Sequence, residues 1–355
     1  MKYMSLNIGD EIQSIAAKRF LPHIDDYVFR ERLNSFRTAS AFKSEPVQKF
    51  KIILNGWYMH VPQNFPPSIA IEPLLISMHF DKNIRRFILN KAENVNYLKE
   101  HGPVGCRDID TMNFLLEHGI PAYHSGCLTL TLTENKIIKA SANRDYVLCV
   151  DVPDEVIIYV KSKTNKPVYA LSKIVNPYVE SIERLELAKI YLYMYHNASA
   201  VITSNLHTAL PCLAMNTSVC LLNNDDRERF SGLEELVNHY PQSDFLAGAY
   251  DINNPPENPR DFIAFRDSLI NTCRNFTGYD SGKPTLDDKY TPDIISMLHM
   301  LQYDYRSMKR AAWFLKGRDL LKAVILKLRD KFFLSAISSK TPKHTYEYNK
   351  YYDTY

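Results

Sequence analysis

The stretch Ala200–Leu222, AVITSNLHTALPCLAMNTSVCLL, decides how this chain is to be read. Val201–Thr203 is a short β-branched apolar run, Leu206–Met215 has helical composition, and Val219–Leu222 is apolar again. Strand, turn, helix and strand in that order make the βαβ unit of a buried parallel sheet. Ligands of such sheets bind beyond the carboxyl ends of the strands, where helix N-termini present free N–H groups to anions. Thr203, Ser204, Asn205 and His207 all fall at that place. A lone histidine near a helix start is most often a satisfied structural residue. The hydroxyl and amide side chains directly before His207, at the position where an α/β fold builds its site, make it the foremost candidate for chemistry.

Working outward, the first half of the chain alternates strand-like and helix-like segments. The pattern predicts a short strand near Lys2–Leu6, a helix over Asp10–Arg19, and strands near Tyr27–Phe29, Lys51–Asn55, Leu74–Met78 and Val104–Cys106. A helix over Asp108–His118 would bury Ile109, Met112, Leu115 and Leu116 and stop at Gly119 and Pro121. After the polar stretch Thr133–Arg144 the alternation resumes with Tyr146–Val150, a helix, Pro167–Leu171 and a helix over Ser181–Tyr195, and the opening stretch completes a second α/β set. NNPPENP is a break, followed by helical segments near Asp261–Asn275 and Pro292–Lys331. The last eighteen residues hold five tyrosines and almost no aliphatic side chain, which predicts a poorly ordered tail.

The TSNLH segment also resembles the polysaccharide pyruvyl transferase family, whose members carry TSRLH followed by a helix of small residues. The resemblance extends to NIGDEIQSIAA (Asn7–Ala17), GPVGCRDIDT (Gly102–Thr111) and GCLTLTL (Gly126–Leu132), in order and at suitable spacing. It implies an α/β fold of two Rossmann-like lobes around a central cleft, similar to GT-B glycosyltransferases, plus C-terminal helices. On that reading 1–140 is the acceptor-side lobe, 141–280 the donor-side lobe, 281–337 a basic helical extension and 338–355 the tail. The implied activity moves pyruvate from phosphoenolpyruvate onto a sugar of a surface-polysaccharide precursor as a ketal. The chain departs from the family at Asn205, which stands where the family has an arginine.

Ketal formation with loss of phosphate requires cations or helix N-termini for a donor carrying both carboxylate and phosphate, and groups that move protons. His207 suits the proton role, and Arg107 in GCRD is implied to fork onto the donor, the plainer alternative being an ion pair with Asp108 or Asp110. The donor set is completed by Thr203, Ser204, Asn205, Leu206 and Arg229, with Arg227 a weaker candidate beside it. Asn7 and Gln13, at the first strand-to-helix turn, are acceptor-side candidates, whereas capping of the helix suffices to explain Asp10. Trp57, Tyr58 and His60 in NGWYMH form a second acceptor-side group, with interdomain packing as the alternative.

Composition excludes more than it selects. Glycine occurs only 11 times and neither GxGxxG nor GxxxxGK[ST] is present, which argues against dinucleotide and P-loop chemistry. The six cysteines lack metal-type spacing and read as reduced packing residues, so no metal and no cofactor are expected. A net charge of +3 hides a segment, Arg306–Lys331, with nine Lys or Arg against two Asp, and Phe314, Leu321, Ile325 and Leu328 on its apolar side. That segment suggests contact with an anionic membrane surface where a lipid-linked or free glycan acceptor is presented. Nucleic acid fits poorly, the charge being confined to one helix. No apolar run suits a signal peptide or a membrane span, so the expected location is cytoplasmic, peripheral at the inner face of the membrane. The competing readings are a nucleotide-sugar glycosyltransferase and a non-catalytic glycan-binding relative.

Overall fold

The computed structural model describes residues 1–302 apart from 4, 39–45, 59–60, 133–144, 176–178, 223–227 and 284–292, and also Arg306. The chain divides into a unit Met1–Gln302 and a unit Tyr303–Tyr355. The basic segment after Arg306 and the tail lie outside the described residues.

The first unit holds two parallel sheets. One runs β1 (Phe50–Tyr58), β2 (Ile71–Phe80), β3 (Val104–Cys106) and β4 (Ala122–His124) in simple sequence order. The other contains β5 (Val147–Val150), β6 (Val168–Leu171), β7 (Ala200–Thr203), β8 (Val219–Leu222) and β9 (His239–Tyr240), in the order β6-β5-β7-β8-β9. The chain therefore leaves β5 to one side and returns on the other, so a crevice opens beyond the carboxyl ends of β5 and β7. VLCV, AVIT and VCLL are buried throughout, which is why these strands read as unbroken apolar runs. Val150 pairs with both Leu171 and Thr203, and Thr203 with Leu221, so the turns after β5, β6 and β7 emerge side by side.

Helices cover the sheets. The α1 helix (Ile8–Lys18) puts Ile8, Ile12 and Ala16 into the core that also holds Leu148, Val150 and Val201 of the second sheet, together with residues of α6 (Ser181–Asn197) and α7 (Leu206–Ala214). The first sheet has its own core around Leu54, Leu75, Met78 and Val104, closed by α2 (Lys82–Leu89), α3 (Ala92–Glu100) and α4 (Ile109–Glu117). Further along come α5 (Asp154–Lys163), α8 (Gln242–Leu246) and α9 (Phe262–Thr277). GCLTLTL forms a buried 3-10 turn over Leu128–Thr131, with Leu128 and Leu130 in the second core.

Several expectations need correcting. Lys2–Leu6 and Tyr27–Phe29 are not strands, because each contributes only to a single bridge, Lys2 to Phe29. The buried face of α4 is Thr111, Phe114 and Leu115, while Ile109 and Leu116 are exposed. Thr111 turns inward because its hydroxyl reaches Nδ1 of His79 at 3.2 Å and accepts from the Phe80 amide at 3.3 Å. The helix expected over Pro292–Lys331 is described only across 294–302. All six cysteines are buried and free, as expected for packing residues. Among the described residues no helix is long and apolar enough to cross a membrane.

Candidate functional site

A small cleft, with a cavity volume of about 50 Å³ and open to solvent at its mouth, lies where the starts of α1 and α7 meet. Asn7, Gly9, Arg107, Lys173, Asn205, His207 and Arg229 are among its lining residues. The α7 helix begins there because β7 ends at Thr203 and Asn205 takes the extended N-cap conformation, φ −122° and ψ 131°. Asparagine is among the best N-caps, yet this one makes no side-chain cap bond. Its Nδ2 donates to Oδ2 of Asp151 at 3.0 Å and its Oδ1 accepts from the Lys173 ammonium. The amides of Leu206 and His207 consequently have no partner among the described residues. An uncapped helix start of this kind attracts anions.

His207 is half-buried, and its Nε2 is enclosed without a hydrogen-bond partner among the described residues. Burial first, then the positive charges of Arg107, Lys173 and Arg229, hold its imidazole well below the ordinary histidine value. It is therefore neutral at neutral pH, and an imidazolium formed there is a strong acid unless an anion sits beside it. The ring packs directly on the first turn of α1: a Cβ at Gly9 would lie 2.7 Å from His207 Cβ and 2.9 Å from Nδ1. Glycine at position 9 thus allows the two helix starts to touch.

Arg107 follows β3 and is buried. Its guanidinium Nε stands 3.6 Å from Oδ2 of Asp108 and makes no hydrogen bond among the described residues. The ion pair with Asp108 is present, and Arg107 also lines the cleft. Asp110 instead pairs with Arg85. Behind Arg107, Oδ2 of Asp108 lies 2.6 Å from Nδ1 of His79, and Oδ1 caps α4 by accepting from the Thr111 amide at 2.9 Å. Burial pushes the Asp108 carboxyl up, but the His79 bond and the neighbouring positive charges outweigh it and hold it at about 2. Arg229 stands on a 3-10 turn, Glu228–Phe230. The turn is tied to the start of α4, since Ser231 accepts from the amides of Ile109 at 3.1 Å and Asp110 at 3.0 Å.

The remaining candidates fall elsewhere. Thr203 and Ser204 brace β5 rather than line the cleft, donating to the carbonyls of Val150 at 3.1 Å and Asp151 at 2.7 Å. At the start of α1 it is Asn7, not Asp10, that caps: Asn7 Oδ1 accepts from the Gly9 amide at 2.9 Å. Asp10 is instead bonded by Ser5 and lies 3.4 Å from Arg30, because a buried guanidinium beneath the helix needs a carboxylate. Gln13 is fully buried, donating to Asp10 at 3.3 Å, and does not line the cleft. Tyr58 packs in the core of the first sheet, 6.1 Å from Phe80 between ring centres, so packing is its role. His60, Arg227 and the side chain of Trp57 lie outside the described residues. Sequence reasoning missed Lys173 and His79, and had Asp108 only as a partner of Arg107. Each stands at or just past a strand's carboxyl end, the signal that singled out His207. Among the described residues no cluster of His, Cys, Asp and Glu could hold a metal ion.

A parallel α/β chain that gathers a guanidinium, an ammonium and open helix amides around a neutral histidine has the charge and the proton acceptor that group transfer from an anionic ligand requires. The family model for polysaccharide pyruvyl transferase matches residues 7–226, from the α1 cap through Arg107, Lys173 and His207. The chain belongs to that family, which is a family of transferases, and pyruvyl transfer in polysaccharide biosynthesis is the activity it implies. No curated protein matches the chain.

Proposed function

We propose that this protein transfers pyruvate from phosphoenolpyruvate to two hydroxyls of one sugar in a surface-polysaccharide precursor, forming a cyclic ketal and releasing phosphate. The observation that carries the reading is the start of α7, where unpaired amides and the unpartnered Nε2 of His207 lie in one cleft with Arg107 and Arg229. Phosphoenolpyruvate presents a carboxylate and a phosphate to such a site and brings its own leaving group, so the reading assigns no cofactor and no metal.

In this scheme His207, protonated once the donor is bound, gives its Nε2 proton to the methylene, which becomes the methyl group and leaves the central carbon electrophilic. The first hydroxyl adds to that carbon and its proton passes to the imidazole, restoring the imidazolium. The second hydroxyl then displaces phosphate from the same carbon, its proton leaving with the phosphate. Arg107 forks onto the donor carboxylate. A bound trianion offsets the surrounding cations and raises the proton affinity of His207, so the histidine becomes a usable acid once the donor is bound. The two sheets stand for the two lobes of a GT-B-like arrangement, with 1–140 on the acceptor side, where Asn7 lines the cleft, and 141–280 on the donor side. Placement at the inner face of a membrane rests on the charge of 306–331.

The test is thermal unfolding with phosphoenolpyruvate or a nucleotide sugar, followed by phosphate release on a lipid-linked or free glycan acceptor. A donor at ~100 times its Kd stabilises by about 2.7 kcal/mol. Stabilisation by phosphoenolpyruvate, with phosphate release that depends on acceptor, is the expected result. Stabilisation by the nucleotide sugar alone would replace this reading with glycosyl transfer, and response to neither would point to a glycan-binding protein.

A further inference from the structure

The run of contacts from Asp151 through Asn205 to Lys173 has no part in the scheme above. Asp151 follows β5 in the left-handed region, at φ 49°, a conformation disfavoured for a residue with a side chain. Its Oδ2 accepts from the Lys173 amide at 3.1 Å and from Nδ2 of Asn205 at 3.0 Å. The Lys173 carbonyl accepts from the Ile8 amide at 2.8 Å, so the residue is pinned on one side to the β5 turn and on the other to the start of α1. Its ammonium, on a long and rotamer-rich stem, is then taken by Oδ1 of Asn205 at the rim of the cleft. The asparagine best placed to cap α7 holds a lysine instead, and the same choice leaves the α7 amides open.

We infer that Lys173 is an anion-binding residue of this cleft, that it takes the phosphate-type group of the ligand together with the α7 amides, and that Asn205 is its positioning residue. An ammonium is a compact point charge, which suits the rounded phosphate, while the planar fork of Arg107 suits a carboxylate. Lys173 thus supplies, from the β6 turn, positive charge that Asn205 does not carry. The assignment builds on the donor reading but is separable from it, since inorganic phosphate probes it without phosphoenolpyruvate.

Calorimetric titration of inorganic phosphate and of phosphoenolpyruvate into the full chain, with Lys173→Met, Lys173→Arg and Asn205→Ala, tests the assignment. Lys173→Met is expected to weaken both ligands about tenfold, or ~1.4 kcal/mol. Lys173→Arg should recover most of that, and Asn205→Ala should lose affinity for both with the thermal midpoint unchanged. The rise in the His207 titration midpoint on adding a fixed phosphate concentration, followed by NMR, should be smaller in Lys173→Met than in the wild type, a difference that a purely structural lysine would not produce. Unchanged affinities in Lys173→Met overturn the assignment and leave the donor reading standing. Lys173-dependent phosphate binding without phosphoenolpyruvate binding does the reverse, and a wild-type protein that binds neither overturns both. Equal losses in Lys173→Met and Lys173→Arg with lowered midpoints also overturn it. Should Lys173→Met fail to fold, unchanged affinity in Asn205→Ala overturns the positioning step by itself.

Discussion

Two helix starts in this molecule follow the same kind of strand end and are finished in opposite ways. At α4, Asp108 caps the helix through the Thr111 amide, bonds His79 at 2.6 Å and faces Arg107, while Ser231 takes the next amides. At α7, Asn205 has the chemistry of a cap but spends its side chain on Asp151 and Lys173, so the amides of Leu206 and His207 stay open. One end satisfies its polar groups internally and contributes rigidity. The other leaves donors and an imidazole nitrogen unpaired beside cations, an arrangement that an anion completes. The difference teaches that the candidate cleft opens at the helix start whose amides are left uncapped among the described residues.

The contrast is most exposed to a change at His207. His207→Gln keeps the size and polarity of the side chain but removes the titrating nitrogen, and should lower turnover by roughly 10²–10⁴-fold with folding intact. Steady-state phosphate release, together with near-ultraviolet circular dichroism, checks it; near-normal turnover on a verified acceptor would take the histidine out of the chemistry. Asp108→Ala should show the opposite profile, mainly a loss of stability. Removing a charged acceptor from His79 and a cap from α4 costs about 3 kcal/mol. A urea midpoint unchanged in Asp108→Ala would mean that the α4 end is not the braced one.

The smallest effect is on pH. Burial and nearby cations lower the His207 pKa from 6.5, so the unfolded chain binds the extra proton more readily. That stability is fully present above pH 6.5 and declines as the pH falls toward the lower folded value. His79, lowered first by burial and then by Arg107, acts in the same window. Asp108, held at about 2 against an ordinary 3.8, contributes stability that is intact above 3.8 and lost only as the pH falls through the lower value. Urea titrations stepped down in pH should show the histidine loss first and the aspartate loss later. A bound anion should flatten the first and spare the second; equal effects on both would erase the distinction between the two ends.

The fold was largely legible because its signals are local. VLCV, AVIT and VCLL announced buried parallel strands by composition, and Val104–Cys106 was placed to the residue. The second strand-rich half and the Ser181 helix start followed from the same rules, and His207 and Arg107, chosen as candidates, line one cleft. Elements with weak periodicity were missed, among them α2, α3 and the short β4 and β9. Asp10 was misread because its sequence position suits a cap, whereas the buried Arg30 that claims it lies twenty residues away.

The sequence by itself determined the class of fold and the family, since both are written in short-range patterns of apolar runs, turns and motif residues. Only the tertiary structure decided which polar side chains face the cleft. Thr203 and Ser204, adjacent to His207 in the chain, turn to the β5 backbone, while Lys173 arrives from another turn because β6, β5 and β7 end in register. Pairing among buried polar groups depends on distances between segments far apart in the chain. Those distances, not residue identity, made Asn205 a holder of lysine and left the start of α7 open.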